Sequence, residues 1–318
     1  MTFPNETLPK GRKQKTTALY DRFVNQGAVM GDSFGLENVL WFANNKEDAH
    51  EEPTIKRSRS HDYVSKEVIN VRENVGLIEV ANFSKHEFKG PDARKFLDHI
   101  MAGRLPKPGR ISLSPMLSYR GKLCGDLTVA CLDENEFMVF GSGAAQEMHK
   151  RWFESHLDRF NLNYKNRSDE FHGLSIAGPN SRKVLEKIVR DDVSNEKFKF
   201  RDSRRMFVGG VPAIINRISF TGELGYEIYV APHYQLKLYE ELMEAGKEFN
   251  IKPFGGRALM SMRLEKNWGA WTLDYRPDFT AKETGLDVFI NWDKEFIGKE
   301  SAQKENSSNK LIPLIVET

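Results

Sequence analysis

One phrase in this chain occurs twice. Phe88-Lys-Gly-Pro-Asp-Ala-Arg-Lys-Phe-Leu-Asp-His-Ile100 returns as Ile176-Ala-Gly-Pro-Asn-Ser-Arg-Lys-Val-Leu-Glu-Lys-Ile188, matching at Gly-Pro, at Arg-Lys, at the leucine, at an acid and at the closing isoleucine. Each copy reads as a strand, a turn and an amphipathic helix: Pro91 suits the first helical turn, and the apolar residues after it recur at helical spacing. A unit this short cannot bury its apolar face alone, so two copies imply two similar modules. The expected class is α+β, with two related modules that each pack helices on one face of a small antiparallel sheet, rather than a parallel doubly wound sheet.

The 318 residues exceed what one ordinary core holds. Residues 1–65 read as a tail and an irregular segment packing on the first module, 66–165 as the first module, 166–300 as the second, and 301–318 as the start of a further domain. Met1 to Lys15 carries Pro4, Pro9 and a basic run without an apolar region behind it, so it reads as a flexible tail and not as a secretory signal. The charged stretch from Gly27 to Ser65 reads as a long surface excursion. From Lys66 a short helix runs into a strand. Ile111 to Leu117, Lys122 to Leu132 and Phe137 to Gly141 read as a meander, and Met148 to Leu162 as a helix. Val211 to Thr221 and Tyr226 to Val230 are expected strands, and Tyr234 to Phe249 an expected helix with Leu238, Leu242, Ala245 and Phe249 on one side.

Several function classes are disfavoured. Hydrophobic residues at 39% and charged residues at 29% describe an ordinary soluble globular protein, and no apolar run approaches the roughly 18 residues of a membrane span. Net charge is +2, and the short basic clusters Lys56, Arg57, Arg59 and Arg204, Arg205 lack interleaved aromatics, so no nucleic-acid footprint is expected. Cys124 and Cys131 lie in one strand-like run, roughly 23 Å apart and on opposite faces, where they cannot pair. Two unpaired thiols fit a cytoplasmic setting. No metal is expected: no cysteine pair has ligand spacing, and His149 and His156, a heptad apart, have no carboxylate motif between them. Gly141-Ser-Gly143 lacks the third glycine and the downstream acid of a dinucleotide fingerprint. Trp268, Trp271 and Tyr275 read as core or interface.

Three segments could carry chemistry. In Arg120 to Val129, alternation puts Leu123, Gly125, Leu127 and Val129 on one face and Cys124, Asp126, Thr128 and Ala130 on the other. A carboxylate among small side chains suits a ligand, although a solvent-facing strand shows the same pattern. In Arg217 to Val230, Gly222 and Gly225 bracket Glu223, and the returning strand carries Glu227 between Tyr226 and Ile228. Such a carboxylate could take two parallel N–H donors from a flat heterocycle, or form a surface ion pair. In Gly256 to Lys266, Arg257 and Arg263 could bind a carboxylate tail or tie a helix to its neighbour.

Five ordered stretches resemble the glycine-cleavage aminomethyltransferase superfamily, above all the folate-binding region of dimethylglycine and sarcosine dehydrogenases. They are Leu19-Tyr-Asp21 with Trp41-Phe42, Leu105-Pro-Lys-Pro-Gly109, Arg120 to Val129, Ile218 to Tyr229, and Ala258 to Lys266 followed by Glu283-Thr-Gly-Leu286 and Phe296-Ile-Gly-Lys299. Coverage runs from about residue 16 to the end. The resemblance implies tetrahydrofolate as cofactor, with Asp126 orienting it and managing the proton as its N5 attacks a one-carbon unit. It implies that Glu227, or Glu223 if the turn register differs, grips the pterin. Thr128, Phe220, Tyr226 and Met116 would line the pocket, and Arg257 or Arg263 would reach the p-aminobenzoyl-glutamate end.

The implied reaction transfers an aminomethyl or methyl carbon from a methylated amine such as dimethylglycine or sarcosine, giving 5,10-methylenetetrahydrofolate or 5-methyltetrahydrofolate. A non-catalytic folate-binding protein and a folate-dependent demethylase of a methylated sulfur compound are the alternatives. The chain departs from the pattern in lacking a flavin domain, so a separate flavoprotein dehydrogenase is an expected partner. It departs also in stopping at Lys310-Leu-Ile-Pro-Leu-Ile-Val-Glu-Thr318, which resembles the first strand of a largely missing C-terminal β-barrel, so a complementary chain is a second possible partner.

Overall fold

The computed structural model describes residues 9–51 and 54–315. It opens with helix α1 (Tyr20–Asn25), strands β1 (Ala28–Ser33) and β2 (Leu36–Phe42), helix α2 (Ser60–Glu73), strands β3 (Val75–Glu79) and β4 (Ser84–Lys89), and helix α3 (Ala93–Ile100). Then come β5 (Arg110–Leu117), β6 (Leu123–Asp133), β7 (Glu136–Gly141), α4 (Gln146–Glu154), β8 (Asn163–Asn166), β9 (His172–Ala177) and α5 (Ser181–Ile188). The remainder is β10 (Ser203–Val208), β11 (Val211–Asn216), β12 (Gly225–Val230), α6 (Gln235–Ala245), β13 (Ile251–Pro253), α7 (Gly256–Glu265), α8 (Ala281–Thr284) and α9 (Lys299–Lys304).

Both copies of the repeated phrase fold as strand, turn and helix, β4 into α3 and β9 into α5. Each turn needs its glycine. Gly90 and Gly178 have φ of +143° and +129°, and a Cβ at Gly178 would lie 2.4 Å from the Val71 carbonyl oxygen. Each helix buries the apolar side named by its spacing: Ala93, Phe96, Leu97 and Ile100 in α3, Val184 and Leu185 in α5. Burying a large apolar side chain is worth about 2 kcal/mol, so these faces fix the helices on their sheets.

The sheets share a strand order. One runs β5-β6-β7-β4-β8 and the other β10-β11-β12-β9-β3, with β13 added beyond β3. In both, the repeated strand, β4 or β9, lies next to the outgoing hairpin. The strand that leads into each repeat is exchanged: β3 precedes β4 but pairs with β9, and β8 precedes β9 but pairs with β4. The pairs within the shared order are antiparallel, as for β4 with β7 and β9 with β12, whereas β13 joins β3 in parallel. The expected α+β class with antiparallel sheets is therefore the one observed. Along the sequence, the segments of two compact units alternate. The first comprises the chain up to Asn82, Asp169–Phe200 and Arg205–Lys266; the second comprises Phe83–Ser168, Arg201–Arg204 and the chain from Asn267.

Each unit has its own core. In the first, Leu174, Ile176, Ile215, Tyr226 and Ile228 pack against Val184, Leu185, Leu238 and Leu242 of α5 and α6. In the second, Phe88, Leu127, Val129, Phe137 and Val139 pack against Phe96, Leu97 and Phe153 of α3 and α4.

Six expectations need correction. The expected surface excursion from Gly27 contains a hairpin, β1 with β2, joined by Phe34 and Gly35 at positive φ; Trp41 on it is 1% exposed. The expected flexible tail is tied down from Arg12, because buried Glu37 takes the Arg12 Nε (2.9 Å) and the Lys13 N–H (2.9 Å); its residues 1–8 lie outside the described residues. The helix expected to reach Leu162 ends at Glu154, since the Ser155 hydroxyl donates to the Trp152 carbonyl at 2.9 Å and takes the acceptor that the next turn needs. The helix expected to reach Phe249 stops at Ala245, and the strand expected to reach Thr221 stops at Asn216. Residues 310–315, expected as a strand, join no sheet; the Leu311 N–H donates to the Glu283 carbonyl at 2.7 Å.

Candidate functional site

Asp126 stands on β6, in the second unit. Burial alternates along the strand, with Leu123, Gly125, Leu127 and Val129 buried and Cys124, Asp126 and Thr128 half-buried, as the side-chain period of two requires. Pairing of β6 with β7 begins at Thr128 opposite Phe140, so residues 123–126 outrun β7. On the other side Asp126 faces Pro115 of β5, which has no N–H to give. Burial pushes the Asp126 carboxyl from its ordinary 3.8 up to about 7, and its own backbone N–H acts the other way. Among the described residues, no cation is one of the groups that shift it. A carboxyl that ionises near neutral pH can both take and return a proton.

Glu227 stands on β12, in the first unit, and is half-buried. Its ladder neighbours are Asn216 of β11 and Ser175 of β9, both polar and buried, so a polar row crosses the face opposite the core. Two residues on, Tyr229 shares that face, and its hydroxyl donates to Glu227 Oε2 at 2.8 Å. Burial, with the Glu227 charge adding to it, holds the Tyr229 phenol well above its ordinary range, so it remains a donor. Lys266, just past α7, donates its Nζ to the Ser219 carbonyl at 2.9 Å. Burial lowers its pKa, and the Glu227 charge opposes that.

The loop joining β11 to β12 borders a depression of about 300 Å3, whose lining includes Arg217, Ser219, Glu223, Leu224 and Lys266. Glu223 lies 3.9 Å from Arg72, and its N–H donates to Thr221 Oγ1 at 3.2 Å. Phe220 is half-buried in the same loop.

Two of the residues expected to line a ligand pocket face the other way. Tyr226 is 0% exposed, stacks on Phe198 at 5.9 Å and takes the Arg182 Nε on its hydroxyl at 3.1 Å. Met116 is buried in the core of the second unit. Alternation is the reason: Tyr226 is one residue from Glu227, and the tyrosine on that carboxylate's face is Tyr229. Arg257 is held by Glu51 and by Ser60 Oγ (2.6 Å), anchoring the start of α7, and Arg263 is 5% exposed on the same helix. Tyr229 and Lys266 were not singled out from the sequence; period-two counting from Glu227 finds the tyrosine, but no local signal marks the lysine. Among the described residues no cluster of three or more His, Cys, Asp or Glu could hold a metal, and no helix is long and apolar enough to cross a membrane. Both cysteines are free thiols.

Residues 19–294 match the family model of the GCVT N-terminal domain. Over 99% of its length the chain is 34% identical to mitochondrial dimethylglycine dehydrogenase of Mus musculus, of which it covers 37%. It is 29% identical, over 94% of its length, to an aminomethyltransferase of Desulfitobacterium hafniense, of which it covers 78%. The chain thus spans little more than a third of the dehydrogenase. Among solved structures, the glycine cleavage system aminomethyltransferase T of Bartonella henselae shares the fold, with a TM-score of 0.77 at 22% identity over 92% of this chain and 74% of that one.

Proposed function

Because the chain belongs to the family of the GCVT N-terminal domain, we propose that it is a tetrahydrofolate-dependent transferase accepting a one-carbon unit from a methylated amine such as dimethylglycine or sarcosine. The observation that carries this reading is Asp126: a half-buried carboxyl near a strand end, with no cation among the described residues lowering it, ionising near pH 7. A residue kept only for solubility or an ion pair has no cause to be held in that state, which costs stability at neutral pH.

The residues fit a reduced pterin. Glu227 offers an anionic acceptor to a pair of ring N–H donors, and the Tyr229 hydroxyl fixes its direction. Tetrahydrofolate, when bound, supplies the nucleophilic nitrogen. Asp126 Oδ takes the proton released there as the new bond forms and returns it to the departing amine, general acid-base work worth about 10²- to 10⁴-fold. Thr128 shares the face of Asp126 and lines the same side, while Phe220 and Glu223 belong to a loop whose depression suits a polar ligand end. A separate flavoprotein dehydrogenase, or a chain carrying the remaining length of the dehydrogenase relatives, would deliver the oxidised amine.

Anaerobic calorimetric titration with tetrahydrofolate tests this reading. The expected result is micromolar binding, weakened by Glu227→Ala about 10- to 100-fold through loss of a charged acceptor. In Asp126→Asn, binding should persist and turnover disappear. Full turnover in Asp126→Asn would leave only the folate-binding part of the reading standing.

A further inference from the structure

Beneath Asp126, on the core side of the same sheet, lies a polar cluster that the proposed reaction does not use. Ser84 and His86 of β4 and His149 of α4 are at most 1% exposed. His149 Nε2 is 2.9 Å from the Cys124 carbonyl oxygen. A carbonyl only accepts, so Nε2 carries the hydrogen and Nδ1 is left as an acceptor. Gly125 allows the ring this close: a Cβ there would lie 2.8 Å from Nε2.

The bond falls where β6 has β5 on one edge but no longer has β7 on the other. Residues 123–126 extend past the pairing with β7, and the His149 side chain supplies Cys124 with a donor that the ladder does not. Three atoms beside it, His149 Nδ1, His86 Nε2 and Ser84 Oγ, have no hydrogen-bond partner among the described residues. A Cβ on Gly141 would be 3.1 Å from Ser84 Oγ and 3.2 Å from His149 Nδ1, which places these two on one small space. His86 is bonded through Nδ1 to the Tyr164 hydroxyl at 2.9 Å, and its ring centre is 6.2 Å from that of His149. Trp271 and Phe153 complete the ring contacts of His149. Burial holds His149 down to about 4 and His86 to about 3, and the positive charge of Lys85 adds to the lowering of His86. Both imidazoles are therefore neutral at working pH.

We propose that His149 is a positioning residue for Asp126: its Nε2–H, donated to the Cys124 carbonyl, fixes the edge of β6 that β7 leaves uncovered and with it the direction of the carboxyl two residues on. This rests on the reading of Asp126 as the proton carrier.

The first test uses the full wild-type chain labelled with 15N-histidine. His149, assigned by the signal missing in His149→Gln, should show the neutral Nε2–H tautomer between about pH 5 and pH 8; the Nδ1–H tautomer, or titration in that range, overturns the proposal. The second follows the Asp126 carboxyl by 13C titration, assigned with Asp126→Asn. In His149→Phe the loosened edge of β6 admits water, and the midpoint should fall by about one pH unit toward the ordinary carboxylate range; His149→Gln, whose amide N–H stands near Nε2, should restore most of it. Identical Asp126 titration in wild type and both variants overturns the proposal, and if the Phe variant does not fold, the wild-type tautomer decides. Neither readout needs turnover. A tautomer and titration as expected, with no folate-dependent activity in the wild type, would uphold the clamp and remove the proposed reaction. Where activity is present, His149→Phe should lower kcat about tenfold with KM for folate unchanged.

Discussion

Asp126→Asn should make the protein more stable at alkaline pH while destroying its proposed activity. The carboxyl rises from 3.8 to about 7 on folding, and about 1.4 kcal/mol per pH unit sets an upper bound of about 4 kcal/mol on the penalty carried by its charged form. Part of the side chain reaches solvent, so about half of that is the working figure. The folded pKa is raised, so the native state is favoured most below about pH 4, loses ground as pH climbs through 7, and is level above that. Asparagine keeps the shape and cannot ionise. The variant should therefore match wild type near pH 4 and exceed it by about 2 kcal/mol near pH 8.5, roughly 3 °C in Tm for a chain of this size. Urea unfolding of both proteins at the two pH values measures the difference. A wild-type advantage at pH 8.5, or a difference that does not change with pH, would mean that the carboxyl ionises freely in the folded protein and would remove the basis for its acid-base role.

Other outcomes follow from single contacts. Gly178→Ala should cost more than about 2 kcal/mol, because it combines φ of +129° with a Cβ 2.4 Å from the Val71 carbonyl oxygen, whereas Gly210→Ala, with φ of +80° and open space, should cost about 1 kcal/mol; urea midpoints compare them. Glu67 accepts the Phe42 N–H at 2.7 Å and the Gly255 N–H at 3.0 Å while burial raises it to about 7. Glu67→Gln, which forfeits one acceptor, should lose about 1 to 2 kcal/mol at pH 5 and little at pH 8, since the wild-type residue carries its own charge penalty above 7; denaturation at both pH values checks the sign. Burial pushes the Cys124 thiol up to about 11 and raises Cys131 as well, so native protein at pH 8 should react with iodoacetamide far more slowly than urea-unfolded protein. Thiol labelling followed by mass spectrometry reads that ratio.

Much of the fold was legible because the repeat supplies its own punctuation. Gly-Pro marks the turn, the apolar spacing marks the buried helix face, and both copies fold as that pattern requires. The β1–β2 hairpin escaped notice because its two-residue turn is Phe34-Gly35, without the Asn or Asp that signals such turns. The exchange of β3 and β8 between sheets has no local mark at all: both are short, and which sheet a strand joins is decided by contacts far away in sequence. The end of α4 turned on side chains, Ser155 and His156, competing for one carbonyl, a contest that apolar periodicity does not register.

The candidate site divides along the same line. Position could be read: alternation placed Asp126 and Thr128 together and Glu227 away from the core. State could not. Whether Asp126 is a solvated carboxylate or a buried acid depends on β7 stopping at Gly141, on Pro115 lying opposite, and on a histidine reaching Gly125 from a helix some twenty residues later in the chain. Asp126, Glu227 and Tyr229 are each stationed by rigid strands, and their electrostatic condition comes from what those strands lack or leave uncovered. A residue that costs stability in its working form is a poor structural choice and a good chemical one, so the pH-dependent gain expected of Asp126→Asn is a sharper sign of function than loss of activity alone, which a misplaced backbone would also produce.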